Sequence, residues 1–175
     1  MIFFNLYWRL FLLGKIKLKN MWKEKFNEQL PLLGHRNWIL IVDKAYPMQS
    51  ADGIITINTK KDILDVLKIV LDSIKREKHT RPIIYTDKEL TFMDDKLCMG
   101  VEKFQKELKH TLSGFNVNSI LHDEVFSKLD KASQLFNVLV LKTECLMPYT
   151  SIFLELNCGY WPADNENTLR AKMAK

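Results

Sequence analysis

Cysteine is scarce in this chain. Cys98, Cys145 and Cys158 are too few and too irregularly spaced for a disulfide framework or a zinc knuckle, and they read as reduced core residues of a cytosolic protein. No glycine-rich phosphate loop, internal repeat or low-complexity tract occurs, which removes the sequence signatures of P-loop proteins, solenoids and linkers. Charge of one sign is not concentrated anywhere either. The 26 basic and 21 acidic residues leave a net +5 and a pI near 9.0, but they are scattered through helical stretches such as "KREKH". That pattern is a solvated surface, and no nucleic-acid partner is expected. A membrane-spanning run is missing as well: the opening "MIFFNLYWRLFLLGKIKLKN" is interrupted by Asn5 and Arg9 and is too short to cross a bilayer. It also lacks the basic start and the small-residue cleavage site of a secretory signal. Met21 opens the charged, amphipathic "MWKEKFNEQL". Residues 1–20 therefore read either as an upstream extension or start-site error, with translation beginning at Met21, or as a peripheral anchor.

What is present suffices for one globular domain with a substantial core: 175 residues, 47% of them apolar. We place it at 21–160, with a polar tail, a short helix or loose end, over 161–175. Continuous apolar runs of strand length occur at 38–43 ("WILIVD"), 53–58 ("GIITIN") and 81–86 ("RPIIYT"). A long helix is expected to start near Asn58 and Thr59 and to bury Ile63, Leu64, Leu67, Val70, Leu71 and Ile74, leaving Lys61, Asp65, Lys68, Asp72 and Lys75 to solvent. A second helix is expected over 94–112, ended by Gly114. A short strand at 116–121, a helix at 123–134 and strands at 136–143 and 151–157 complete the alternation. This order predicts an α/β fold, a three-layer α/β/α arrangement with a mixed, largely parallel sheet covered on both faces.

In open α/β sheets ligands gather beyond strand ends, so polar residues there carry the functional weight. Four places qualify: His35 before the first strand, Asp43 after it, His122 where a strand meets a helix, and "TECLMPY" (143–149) between the last two strands. Each also has a plain structural reading, as a turn carboxylate for Asp43, a helix start for His122 and packing beside Pro148 for Tyr149.

Taken together these residues resemble the D-ribose pyranase and L-fucose mutarotase (RbsD/FucU) family. Gly34-His35, seven residues, Asp43, three residues and Pro47 match its first motif without a gap. Glu144-Cys145, Pro148-Tyr149 and an apolar strand closing on Gly159 follow its second. Here the chain has Thr143-Glu144 where the family usually has Gly-Glu, one extra residue before Tyr149, and Ser151 in an asparagine position. The resemblance covers about 24–160. It implies cofactor-free interconversion of the ring forms or anomers of a monosaccharide, no metal, and ring-shaped homo-oligomers in which neighbouring chains help build the sugar site.

Opening a cyclic hemiacetal needs a base for the anomeric hydroxyl proton and an acid for the departing ring oxygen, and histidine serves both near neutral pH. On that chemistry His35 is the principal acid/base, and Asp43 orients it or holds a sugar hydroxyl. Tyr149 is a second proton-transferring or hydrogen-bonding group, and His122 the complementary acid/base. Ser151 and Glu144 contact sugar or support the loop. Lys44 and Lys142 lie beside these residues and can either neutralise an anionic substrate group or serve as surface charges. Eight fully extended steps would part His35 from Asp43 by about 26 Å, so the two meet only through a fold-back or a neighbouring subunit. Two other readings stand beside this one: a sugar-binding or regulatory protein without turnover, motivated by Ser151, and a metal hydrolase using His35, Asp43, His122 and Glu144 as ligands.

Overall fold

Backbone order follows from where apolar runs are continuous and where they are striped. The computed structural model describes residues 21–174, and the expectations for residues 1–20 lie outside them. A helix through 21–29 (α1) runs into a 3-10 turn at Leu30–Leu32 and then reaches β1 (Trp38–Val42). There follow β2 (Ile54–Asn58), α2 (Ile63–Arg76), β3 (Thr80–Asp87), α3 (Val101–Thr111), β4 (Val117–Ile120), α4 (His122–Ser133), β5 (Val138–Lys142), β6 (Ile152–Cys158) and α5 (Ala163–Met173).

The sheet has six strands in the order β2-β5-β1-β6-β3-β4. β1, β2 and β5 run parallel, β3 and β4 run parallel, and β6 lies antiparallel between β1 and β3. All strands but β6 thus point the same way. β1 sits at the centre with every residue buried. Its alternation serves two cores: Ile39 and Ile41 pack with α1, α2 and α3, whereas Trp38, Leu40 and Val42 pack with Val125 and Leu129 of α4. A strand buried on both faces loses polar alternation, which is why "WILIV" is legible as a strand interior. The protein is an α/β fold with a mixed, largely parallel sheet and helices on both faces.

Two helix starts differ from expectation. α2 begins at Ile63, with Asp62 in extended conformation accepting from Leu64 N at 2.9 Å. The chain cannot turn helical at Asn58 or Thr59 because both are occupied: Asn58 Oδ1 accepts from Lys60 N at 3.0 Å, and Thr59 Oγ1 donates to the Lys142 carbonyl at 2.9 Å. α3 begins at Val101 rather than near Asp94. Asp94 Oδ1 accepts from Lys96 N (3.1 Å) and Leu97 N (3.0 Å), and Gly100 takes a φ of +89°, so local side-chain bonds displace the first turns. Within α2 the buried stripe is as expected, with Val66 and Ser73 added to it.

Candidate active site

β6 decides where the site forms. β5 ends at Lys142, and the chain must cross the end of β1 to reach β6 on its far side. Reversing direction keeps that crossing at one edge, the carboxyl end of β1, β3, β4 and β5 and the amino end of β6. Thr143 N donates to the Val42 carbonyl (2.9 Å) and Lys44 N to the Cys145 carbonyl (2.8 Å), which lays the 143–150 loop over the end of β1. Asp43, His122, Glu144, Tyr149 and Ser151 are all carried to this edge.

Asp43 is held in place from both sides. Its Oδ1 accepts from Ala45 N at 2.7 Å and Tyr46 N at 3.0 Å, an Asx turn at the end of β1. Ser151 Oγ donates to its Oδ2 at 3.2 Å, and Asp43 N approaches the same hydroxyl at 3.4 Å. Tyr149 adopts a left-handed φ of +57° beside this pair. The turn is tied by Thr150 Oγ1, which donates to the Met147 carbonyl at 2.7 Å and lies 3.3 Å from Cys145 Sγ. The result aims the Tyr149 ring edge-on at His122, centroids 5.5 Å apart and planes at 88°. Phe126 flanks His122 from within α4 at 4.8 Å.

His122 is the first residue of α4, and two carboxylates hold it, Asp87 at the end of β3 and Glu89 in the 3-10 turn (Lys88–Phe92) that follows. Glu89 accepts from the His122 backbone N–H at 3.1 and 3.2 Å. Asp87, completely buried, places Oδ2 3.1 Å from His122 Nδ1. Apart from this contact, neither Asp87 oxygen has a hydrogen-bond partner among the described residues. Burial, which outweighs the nearby His122, pushes the Asp87 carboxyl up to about 6, with Glu89 and Asp43 adding to the rise. Beneath them Tyr46 stacks on Phe126 at 5.7 Å, its phenol driven well above the ordinary range by burial and then by Asp130, Asp43 and Asp87. Sequence reasoning missed Asp87 and Glu89. The signal was present, since Asp87 follows an apolar run just as Asp43 does.

Glu144 is exposed and ion-paired with Lys44, and Lys142 Nζ donates to the Tyr46 carbonyl at 2.7 Å. Both lysines therefore have partners inside the fold. His35 stands apart from all of these. It occupies the turn before β1, where Asn37 N donates to the Gly34 carbonyl at 3.1 Å and Arg36 has a φ of +74°. There it is exposed in a groove of about 570 Å³ shared with Arg81, Asn157, Tyr160, Trp161 and Glu166. The five residues of β1 alone span about 16 Å. Asp43 cannot orient the His35 of its own chain: β1 is straight and no fold-back joins its ends. For the same reason His35 and Asp43 cannot ligate one metal within a chain. Among the described residues no group of three or more His, Cys, Asp and Glu is placed to hold an ion, and no helix is long and apolar enough to cross a membrane.

Comparison with solved structures places this architecture. RbsD of Bacillus subtilis, in complex with D-ribose, superposes with a TM-score of 0.53 at 18% identity, covering 75% of this chain and 89% of that one. A fucose mutarotase from Streptococcus pneumoniae in complex with L-fucose gives 0.47 at 14% identity, with coverages of 75% and 89%. At 18% identity the likeness to RbsD is one of fold. No curated protein sequence matches the chain. The profile described as the RbsD / FucU transport protein family matches residues 17–158, most of the length, and the chain belongs to that family.

Proposed function

We propose that the protein is a cytoplasmic, cofactor-free sugar isomerase that interconverts the ring forms or anomers of an uncharged monosaccharide at a site shared between neighbouring copies. One observation carries the reading. The proton-handling and hydroxyl-binding groups Asp43, His122, Tyr149 and Ser151 converge at one edge, while His35 lies at the opposite end of the same buried strand. A chain of this shape holds two unlike halves of a site, and head-to-tail packing into a ring brings them together. Met48 and Leu146, 86% and 82% exposed on the loops at the Asp43 edge, supply apolar surface for such a contact.

The reaction then needs no group beyond the side chains. One histidine takes the proton of the anomeric hydroxyl as the C1–ring-oxygen bond breaks, and a donor protonates the departing ring oxygen, leaving the open-chain aldehyde. Closure on the other face gives the other anomer, and closure through a neighbouring hydroxyl gives the other ring size. His122, beside Tyr149, serves one transfer, and His35 from a neighbouring copy serves the other. Asp43, fixed by Ser151 and its own turn, holds a sugar hydroxyl. Glu144 braces the 143–150 loop through Lys44. Lys44 and Lys142, the two lysines beside Asp43 and Glu144, are already engaged, which favours an uncharged sugar over a phosphorylated one.

NMR magnetisation exchange between the ring forms of ribose, fucose and other aldoses tests this, with wild type, His35→Ala and His122→Gln. Faster exchange for one sugar, lost in both variants, supports the proposal. Sugar binding without acceleration would instead mean a non-catalytic binding protein and would point to Ser151. A monomer by light scattering at working concentration would contradict the shared site.

A further inference from the structure

The proposed chemistry leaves one buried ionisable group without a task. Asp87 is fully buried at the end of β3, and among the described residues the one polar group found within hydrogen-bonding distance of its oxygens is His122 Nδ1, at 3.1 Å. A carboxylate in that position is costly unless something donates to it. The neighbouring carboxylates Glu89 and Asp43 cannot donate while ionised. Glu89 is already committed to the His122 backbone, and Asp43 to Ala45, Tyr46 and Ser151.

We propose that Asp87 is the positioning residue of His122, its carboxylate accepting a hydrogen bond from Nδ1–H so that the neutral ring turns Nε2 outward as a lone pair. This rests on reading the edge as a sugar site, and it assigns His122 a definite half of the reaction. With Nδ1 carrying the hydrogen, Nε2 can only accept, so neutral His122 is the base for the anomeric hydroxyl, and the acid must come from elsewhere in the composite site. The ring has little freedom to do otherwise. Phe126 and Tyr149 meet it at 4.8 and 5.5 Å, and Glu89 fixes the backbone from which it projects.

The imidazole tautomer is read directly by nitrogen chemical shifts. Protein labelled with ¹⁵N-histidine is measured by magic-angle-spinning NMR at about pH 8, above the ordinary histidine range. The His122 signals are assigned by their loss in His122→Gln. The expected wild-type result is a protonated Nδ1 and a bare Nε2. In Asp87→Asn the side-chain amide can donate to Nδ1, so the hydrogen should move to Nε2, and sugar exchange should fall about a hundredfold in kcat with little change in KM. A wild-type His122 carrying its hydrogen on Nε2, or a folded Asp87→Asn protein with an unchanged tautomer, would overturn the proposal. The wild-type spectrum decides it even if the variant fails to fold. A protonated Nδ1 together with undiminished exchange in His122→Gln would instead leave Asp87 as positioning residue and remove His122 from the chemistry.

Discussion

Replacing Asp87 by asparagine should change how stability depends on pH, and the size of the change follows from burial. Its carboxyl lies at about 6 in the fold against 3.8 in the unfolded chain, a difference of about 3 kcal/mol. The folded pKa is the higher one, so between these values the native state binds more protons than the unfolded state. The favourable contribution is complete below about 3.8, declines as pH rises, and is gone once pH passes through about 6. Roughly 2 kcal/mol of that loss falls between about pH 4.5 and pH 7. Asparagine does not titrate. Urea unfolding followed by tryptophan fluorescence, for both proteins at one concentration across that range, therefore gives a stability difference, wild type minus variant, that falls by about 2 kcal/mol toward neutral pH. Any constant offset from burying an amide cancels in the slope, as do carboxylates remote from Asp87, while the coupled neighbours Glu89, Asp43 and His122 make smaller contributions than burial. A flat difference would refute the reasoning. A difference rising toward neutral pH would mean that His122, not burial, dominates the energy of Asp87.

Three further perturbations test other links. Leu40 is fully buried at the centre of the sheet, and Leu40→Ala should lower unfolding free energy by about 2–5 kcal/mol in the same assay. At Gly159 a Cβ would lie 2.6 Å from the Lys78 carbonyl, so Gly159→Ala should destabilise by about 1–3 kcal/mol, and a neutral effect would mean that β6 and β3 do not close as described. Tyr149→Gly relieves a left-handed residue and should leave stability within about 1 kcal/mol of wild type while sugar exchange falls at least about tenfold. A larger loss of stability would mean that the ring holds the loop rather than serving the chemistry.

Much of this architecture is written in residues that obey one rule at a time. Trp38–Val42 could only be an interior strand, and the stripe from Ile63 to Ile74 could only be one face of a helix. Boundaries failed where short polar side chains compete with helix. Asp94 ties down Lys96 and Leu97, and Asn58 and Thr59 are spent on turn and cross-strand bonds. Asp43, His122 and Tyr149 were legible as candidates because strand ends are few and each carries an unusual polar group. Their mutual placement was not, since it depends on β6 running backwards between β1 and β3, a non-local pairing that no local pattern encodes. Asp87 was overlooked because it lies just past the strand read at 81–86, and only the sheet shows that its side chain is buried against His122.

The central claim is that each chain carries two half-sites, with His35 on one side of a subunit contact and His122 on the other. Co-expressing His35→Ala and His122→Gln tests it, with magnetisation exchange in the responsive sugar as the readout. Each variant alone should be inactive. Randomly mixed assemblies should regain roughly one quarter of wild-type exchange, because some contacts then pair an intact His35 with an intact His122. A mixture no more active than its separate components, or wild-type exchange in His35→Ala alone, would contradict it.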